Sequence, residues 1–230
     1  MLGFSPLEIE ALALSLRVAL WSVVTSLPVG LWVAWLLARG TFPGKGALNA
    51  IVHLPLVLPP VVVGYFLLVL LGREGPLGQV LDRVFGISLP FTWQGAALAA
   101  AVMAFPLMVR AMRLSLEAVD RRLEAAARTL GARPFEVFLT VTLPLMAPGI
   151  LAGALLAFAR SLGEFGATIT FAANIPGETR TLPLALYSLI QTAGGEVQAL
   201  RLATLSVLIS LAALAASEYT ARRLRARIGG

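Results

Sequence analysis

The chain has 230 residues, 58% of them hydrophobic and only 13% charged, with a mean hydropathy of +0.87. That balance excludes an ordinary soluble domain and requires lipid as solvent, in a bundle of about five helices at roughly 20 apolar residues per span. The absence of Cys excludes disulfides, thiol catalysis and thiolate metal sites, and the net charge of +6 flanks apolar runs without interleaved aromatics, so no nucleic-acid partner is expected.

Glu8 and Glu10 stand where a secretory signal would carry basic residues, so the first apolar run, 11–38, reads as a retained span. The turn that follows, GTFPGKG at 40–46, lacks the Walker spacing and its terminal Ser or Thr, so it reads as a turn and not as a phosphate loop. The second run, 47–72, is expected as one span. Pro59 and Pro60 inside it, like Pro28 in the first run and Pro106 in the third, remove backbone donors and are expected to kink their helices. Such kinks either line a path or mark irregular packing. His53, the only histidine, has no companion ligands and reads as a neutral, packed or pathway-facing side chain; no metal site is expected.

The third run covers 93–112 and the fourth 142–163, with a polar segment, 117–141, between them. LPLALYSLI, 182–190, is too short to cross and reads as a re-entrant or interfacial helix. The fifth run covers 199–219, and 221–230 is a basic tail. The fold class is therefore an all-α integral membrane protein with about five transmembrane helices, in one domain over 8–220. Arg39, Lys45, the arginines from Arg110 to Arg133, and Arg222 to Arg227 share one side. By the positive-inside rule that side is the cytoplasm, with the N-terminus outside.

The polar segment has its own pattern. Leu123, Ala127 and Leu130 recur at i, i+4 and i+7, which predicts a short helix with an apolar stripe, and Gly131 supplies its stop. Pro134 suits the first position of a second helix carrying Phe135, Val137, Phe138 and Val141 into the run near Leu143 and Pro144. Arg128, Arg133 and Glu136 would edge this surface. From the residues alone, it either docks a partner or lies on lipid headgroups.

Near the other end of the fourth run, Arg160 and Glu164 are spaced i, i+4 for an ion pair. An unpaired charge facing lipid costs about 2.5–3.5 kcal/mol at mid-bilayer, so these side chains should face protein or water. They border a pathway or form a structural pair. Gly163 and Phe165 are candidates for a constriction, and Gly166 for a close helix approach. Gly149 and Gly153 form a small-xxx-small pair suited to a dimer or an intrachain contact.

The run Ala126-Ala127-Arg128-Thr129-Leu130-Gly131, with Leu143-Pro144 beyond it, resembles the EAA loop of type I ABC importer permeases. That resemblance implies a coupling helix seated in a cleft of a cytoplasmic ATPase, and assigns coupling to Glu124, Ala126, Ala127, Arg128, Leu130, Gly131, Pro134, Phe135, Leu143 and Pro144. Counting back from Gly131, the family's acidic position is Ala125, whereas this chain has Glu124, about a quarter-turn away. A similar offset marks molybdate-type permeases. Residues 159–167 and 174–181 also resemble the molybdate permease subunits, with sulfate permeases more distant. The resemblance implies a homodimer, an ATPase dimer that holds the ATP and Mg, and an external binding protein delivering molybdate or tungstate. This chain would bind no cofactor and catalyse no reaction. The alternatives are a sulfate permease, which would pair with a different permease chain, and an ATP-independent transporter or channel, which would need no docking loop.

Overall fold

The computed structural model describes residues 5–228, and among them every regular element is helical. Helix α1 (Pro6–Arg39) begins with a capping box: the Ser5 hydroxyl accepts from the Glu8 N–H at 3.3 Å, and the Glu8 carboxylate accepts from the Ser5 N–H at 2.6 Å. Glu8 is thus a buried structural group, and the helix starts earlier than the apolar run at 11. Its 34 residues reach about 51 Å at 1.5 Å per residue, well beyond a hydrocarbon core of about 30 Å. Pro28 lies within it without ending it.

The second run differs from its single-span expectation. It forms α2 (Lys45–Val57) and α3 (Pro60–Leu71), bent by 118°. The cause is local. A residue before proline is driven out of the helical region, and Leu58 adopts ψ 144 ahead of Pro59, which is itself extended ahead of Pro60. Two successive residues without N–H groups then leave no donor to bridge the break. The pair is either one broken span or a re-entrant loop. A further amphipathic helix, α4 (Pro76–Phe85), occupies a stretch where the sequence suggested no element, and Gly86 ends it at φ +65.

Helix α5 (Trp93–Glu117) is the centre of the molecule. Thr92 caps it, accepting from the Gly95 N–H at 3.1 Å. Its buried Ala96, Ala97, Ala99, Ala100 and Ala104 allow close approach on several sides at once. It packs against α1 and against α8 (Leu143–Leu162), with Leu37, Met108, Met112, Leu116 and Met146 filling the shared core. Gly149 and Gly153 face α5 at Ser115 and at the Met108 carbonyl, so this small-residue pair serves an intrachain contact.

The remaining helices are α6 (Arg121–Thr129) and α7 (Pro134–Val137) before α8, then α9 (Gly166–Ala172), α10 (Leu182–Ile190) and α11 (Glu196–Ile228) after it. Helix α10 is short and packs on α11 and α1. Helix α11 carries the chain through the expected basic tail to Ile228; Gly229 and Gly230 lie outside the described residues. His53 sits half-buried with Nδ1 2.8 Å from the Asn49 carbonyl, and no metal-ligand cluster exists among the described residues.

Candidate coupling site

At the end of the bundle where α1 finishes and α8 begins, the chain makes helix, turn, helix. Asp120 caps α6, accepting from the Arg122 N–H at 2.9 Å. Leu130 closes the helix and Gly131 follows at φ +91, a backbone conformation in which a Cβ is strained. Pro134 then starts α7, where its missing N–H costs nothing, and Glu136 accepts from the Arg133 N–H at 2.8 Å.

The join between α7 and α8 is wider than an α-helix. Residues Phe138–Thr142 form a π turn in which the Leu143 N–H donates to the Phe138 carbonyl, five residues back. Pro144 explains it: the proline ring would press on the Thr140 carbonyl in a regular helix, and the wide turn moves that carbonyl aside. Helix α7 and the fourth span therefore form one continuous rod, Pro134–Leu162.

No residue of α6 is buried, yet its two faces differ. Arg121, Glu124, Ala125 and Arg128, at i, i+3, i+4 and i+7, face a groove against the last turns of α1. On the other face Leu123 and Leu130 are exposed, Leu130 at 89%, with Ala126 exposed between them and Ala127 half-buried. Phe135 projects nearby at 70% exposure. Leu143 is half-buried and Pro144 exposed at the start of α8.

Glu124 is held by the bundle. Its Oε1 lies 3.0 Å from Arg39 at the end of α1 and accepts from the Thr142 hydroxyl of the π turn at 2.9 Å. Arg39 also donates to the Val119 carbonyl at 3.4 Å. The two charged side chains are only 13% and 15% exposed, so this pair is shielded from water far better than a surface bridge. One carboxylate thus links α6, α1 and α8.

Sequence reasoning missed Arg39 and Thr142 as partners, having used Arg39 only to orient the chain. Its place in the last turn of α1 was the available signal; Thr142 offered none.

The gate candidates lie at the opposite end. Arg160 and Glu164 pair at 2.7 Å, and Glu164, 2% exposed, also accepts from the Ala167 N–H at 2.8 Å, capping α9. Phe165 packs against Tyr187 of α10 with ring centroids 5.0 Å apart and the ring planes tilted by 55°. Gly166 does mark a close approach: a Cβ there would meet the Pro60 Cβ at 2.8 Å, and one at Gly64 would meet the Ala167 carbonyl at 2.6 Å. Gly163 touches nothing of the kind; it ends α8. The 174–181 stretch forms a tight loop on Gly177 at φ +79, where Glu178 accepts from the Trp93 N–H at 3.2 Å and Asn174 accepts from Arg180 at 2.9 Å.

A central alanine-rich helix, a second apolar run broken at Pro59–Pro60 and a helix-turn-helix whose second helix runs on into the fourth span define a membrane permease of the type I ABC importer fold. The chain belongs to the family described as binding-protein-dependent transport system inner membrane component, matched over residues 26–226. It is similar to the molybdenum transport system permease protein ModB of Escherichia coli (strain K12), 61% identical over 222 residues, covering 96% of this chain and 97% of that protein. The sulfate transport system permease protein CysT of Salmonella typhimurium (strain LT2) stands further away, 38% identical over 187 residues, 81% of this chain and 67% of the other. Among solved structures, a bacterial ABC transporter involved in import of the acidic polysaccharide alginate shares the fold, with a TM-score of 0.75 at 17% identity, over 96% of this chain and 80% of that one.

Proposed function

We propose that this chain is the membrane subunit of an ATP-driven importer of molybdate, with tungstate as a second cargo. The observation that carries the coupling part is the two-sided α6: apolar Leu123 and Leu130 stand free on one face while Glu124 ties the other to α1 and α8. A free apolar face needs a partner, and a tied face transmits what the partner does. The partner is a cytoplasmic ATPase dimer, which holds ATP and Mg; this chain binds neither. Two copies of the chain form the path, and an external oxyanion-binding protein loads it, with the N-terminus outside and the C-terminus in the cytoplasm.

Closure of the ATPases on ATP moves α6, and the strut through Glu124 moves α1 and the Pro134–Leu162 rod with it, switching the cavity from inward-facing to outward-facing. Arg160, Gly163, Glu164, Phe165 and Gly166 lie at the outer end, where that switch opens or shuts the path. The similarity to ModB over nearly the whole chain supports molybdate over sulfate as cargo.

The test is uptake into proteoliposomes holding the chain with its ATPase and binding protein, with ATP inside and labelled molybdate outside against tungstate and sulfate. ATP-dependent uptake displaced by tungstate and not by sulfate is the expected result. Uptake without ATP would replace the proposal by a secondary transporter or channel.

A further inference from the structure

The groove behind α6 is a cavity of about 890 Å³, and the coupling reading leaves it unused. One wall is a face of the spanning helix α1 that bears Trp32 and Trp35, Trp32 at 61% exposure; the other is the inner face of α6 with Phe135 below it. Its rim is cationic: Arg39, Arg121 and Arg128 stand against the single carboxylate of Glu124. Arg121 and Arg128 form no ion pair among the described residues, and the buried Arg39 Nε has no hydrogen-bond partner.

An occupant must satisfy both halves of the groove. Its lower part belongs to an apolar span, which asks for a hydrocarbon chain, while the rim asks for an anion. Tryptophan pairs of this kind sit at the headgroup level, and basic pockets beside spanning helices hold anionic headgroups. We infer that the groove binds one anionic phospholipid, its phosphate between Arg121 and Arg128 and its acyl chain along Trp32 and Trp35. The inference stands whether or not molybdate is the cargo. A lipid lodged there would wedge α6 against α1 beside the Glu124 strut, so the anionic lipid content of the membrane would set how firmly the lever is held.

The experiment is native mass spectrometry of the full-length chain, free and assembled with its ATPase, titrated with phosphatidylglycerol or phosphatidylcholine. Phosphatidylglycerol should bind at least about tenfold tighter, and R121Q/R128Q should remove most of that preference, whereas R73Q/R83Q at the other end should leave it. Brominated phosphatidylglycerol should quench tryptophan emission more than brominated phosphatidylcholine, and lose that advantage in R121Q/R128Q. Equal affinity for the two lipids, or an unchanged preference in R121Q/R128Q, overturns the inference. So does displacement by millimolar inorganic phosphate, which would make this a simple anion site. Loss of the lipid on assembly would give the groove to the ATPase or to a second copy of the chain.

Discussion

The two ion pairs at opposite ends of the bundle use the same chemistry to different ends. Glu164 and Arg160 are four residues apart on one helix, and Glu164 spends its second oxygen on the first turn of the next, so this pair builds a local corner between α8 and α9. Glu124 and Arg39 are 85 residues apart, and Glu124 adds a third element through Thr142. A local pair fixes shape, whereas a long-range pair between movable elements carries force. The difference separates residues whose loss should unfold a corner from residues whose loss should disconnect an intact machine.

Removing Glu164 should therefore cost the most stability. Glu164→Ala strands the partly covered Arg160 and the buried Ala167 N–H, and losing one member of a buried pair costs about 3–5 kcal/mol. Thermal unfolding in detergent should fall by several degrees, and Glu164→Gln, which keeps the acceptor, should recover part of the loss. Gly64→Val comes next: its side chain would meet the Ala167 carbonyl and Thr170, and overpacking of this kind costs about 1–3 kcal/mol, read in the same melt.

Glu124→Ala should cost less in the melt, about 1–3 kcal/mol, yet abolish most ATP-driven uptake while ATP hydrolysis continues. A cycle with Arg39→Ala should show a coupling of about 0.5–3 kcal/mol, and additive effects would remove the strut. If Glu124→Ala melted as badly as Glu164→Ala with uptake per folded molecule unchanged, the contrast between the two pairs would collapse. The smallest effect on stability belongs to Leu130→Ser, within about 0.5 kcal/mol because the side chain is exposed. Its ATPase should nonetheless bind several-fold more weakly in pull-down or light scattering.

Much of the coupling segment was legible because its determinants are local. Gly131 announced a left-handed stop and Pro134 a helix start, and both act through their own backbone. The apolar runs were legible for the same reason, since composition alone decides what lipid tolerates. The bend at Pro59–Pro60 was visible as a kink because its cause is local, whereas the seat of α3 on α9 through Gly64 and Gly166, more than a hundred residues apart, was not. The partner of Glu124 was hidden likewise. Periodicity says which face of α6 is apolar; it carries no information on which distant arginine the other face meets. Helix α4 escaped notice because its alternation of Leu77, Val80 and Val84 with Gln79, Asp82 and Arg83 is short and follows a glycine-rich turn.

The wide turn at Phe138–Thr142 lets the rod hold one residue more than a regular helix would. Each residue of an α-helix adds about 100° of rotation, so an extra residue elsewhere in the rod would turn everything on one side of it by that angle. A π turn loops the extra residue out locally and keeps the helices on either side close to the phase they would have without it. The coupling helices and the buried face of α8 can thus each keep their own aim although the sequence between them carries a residue that a continuous α-helix has no room for.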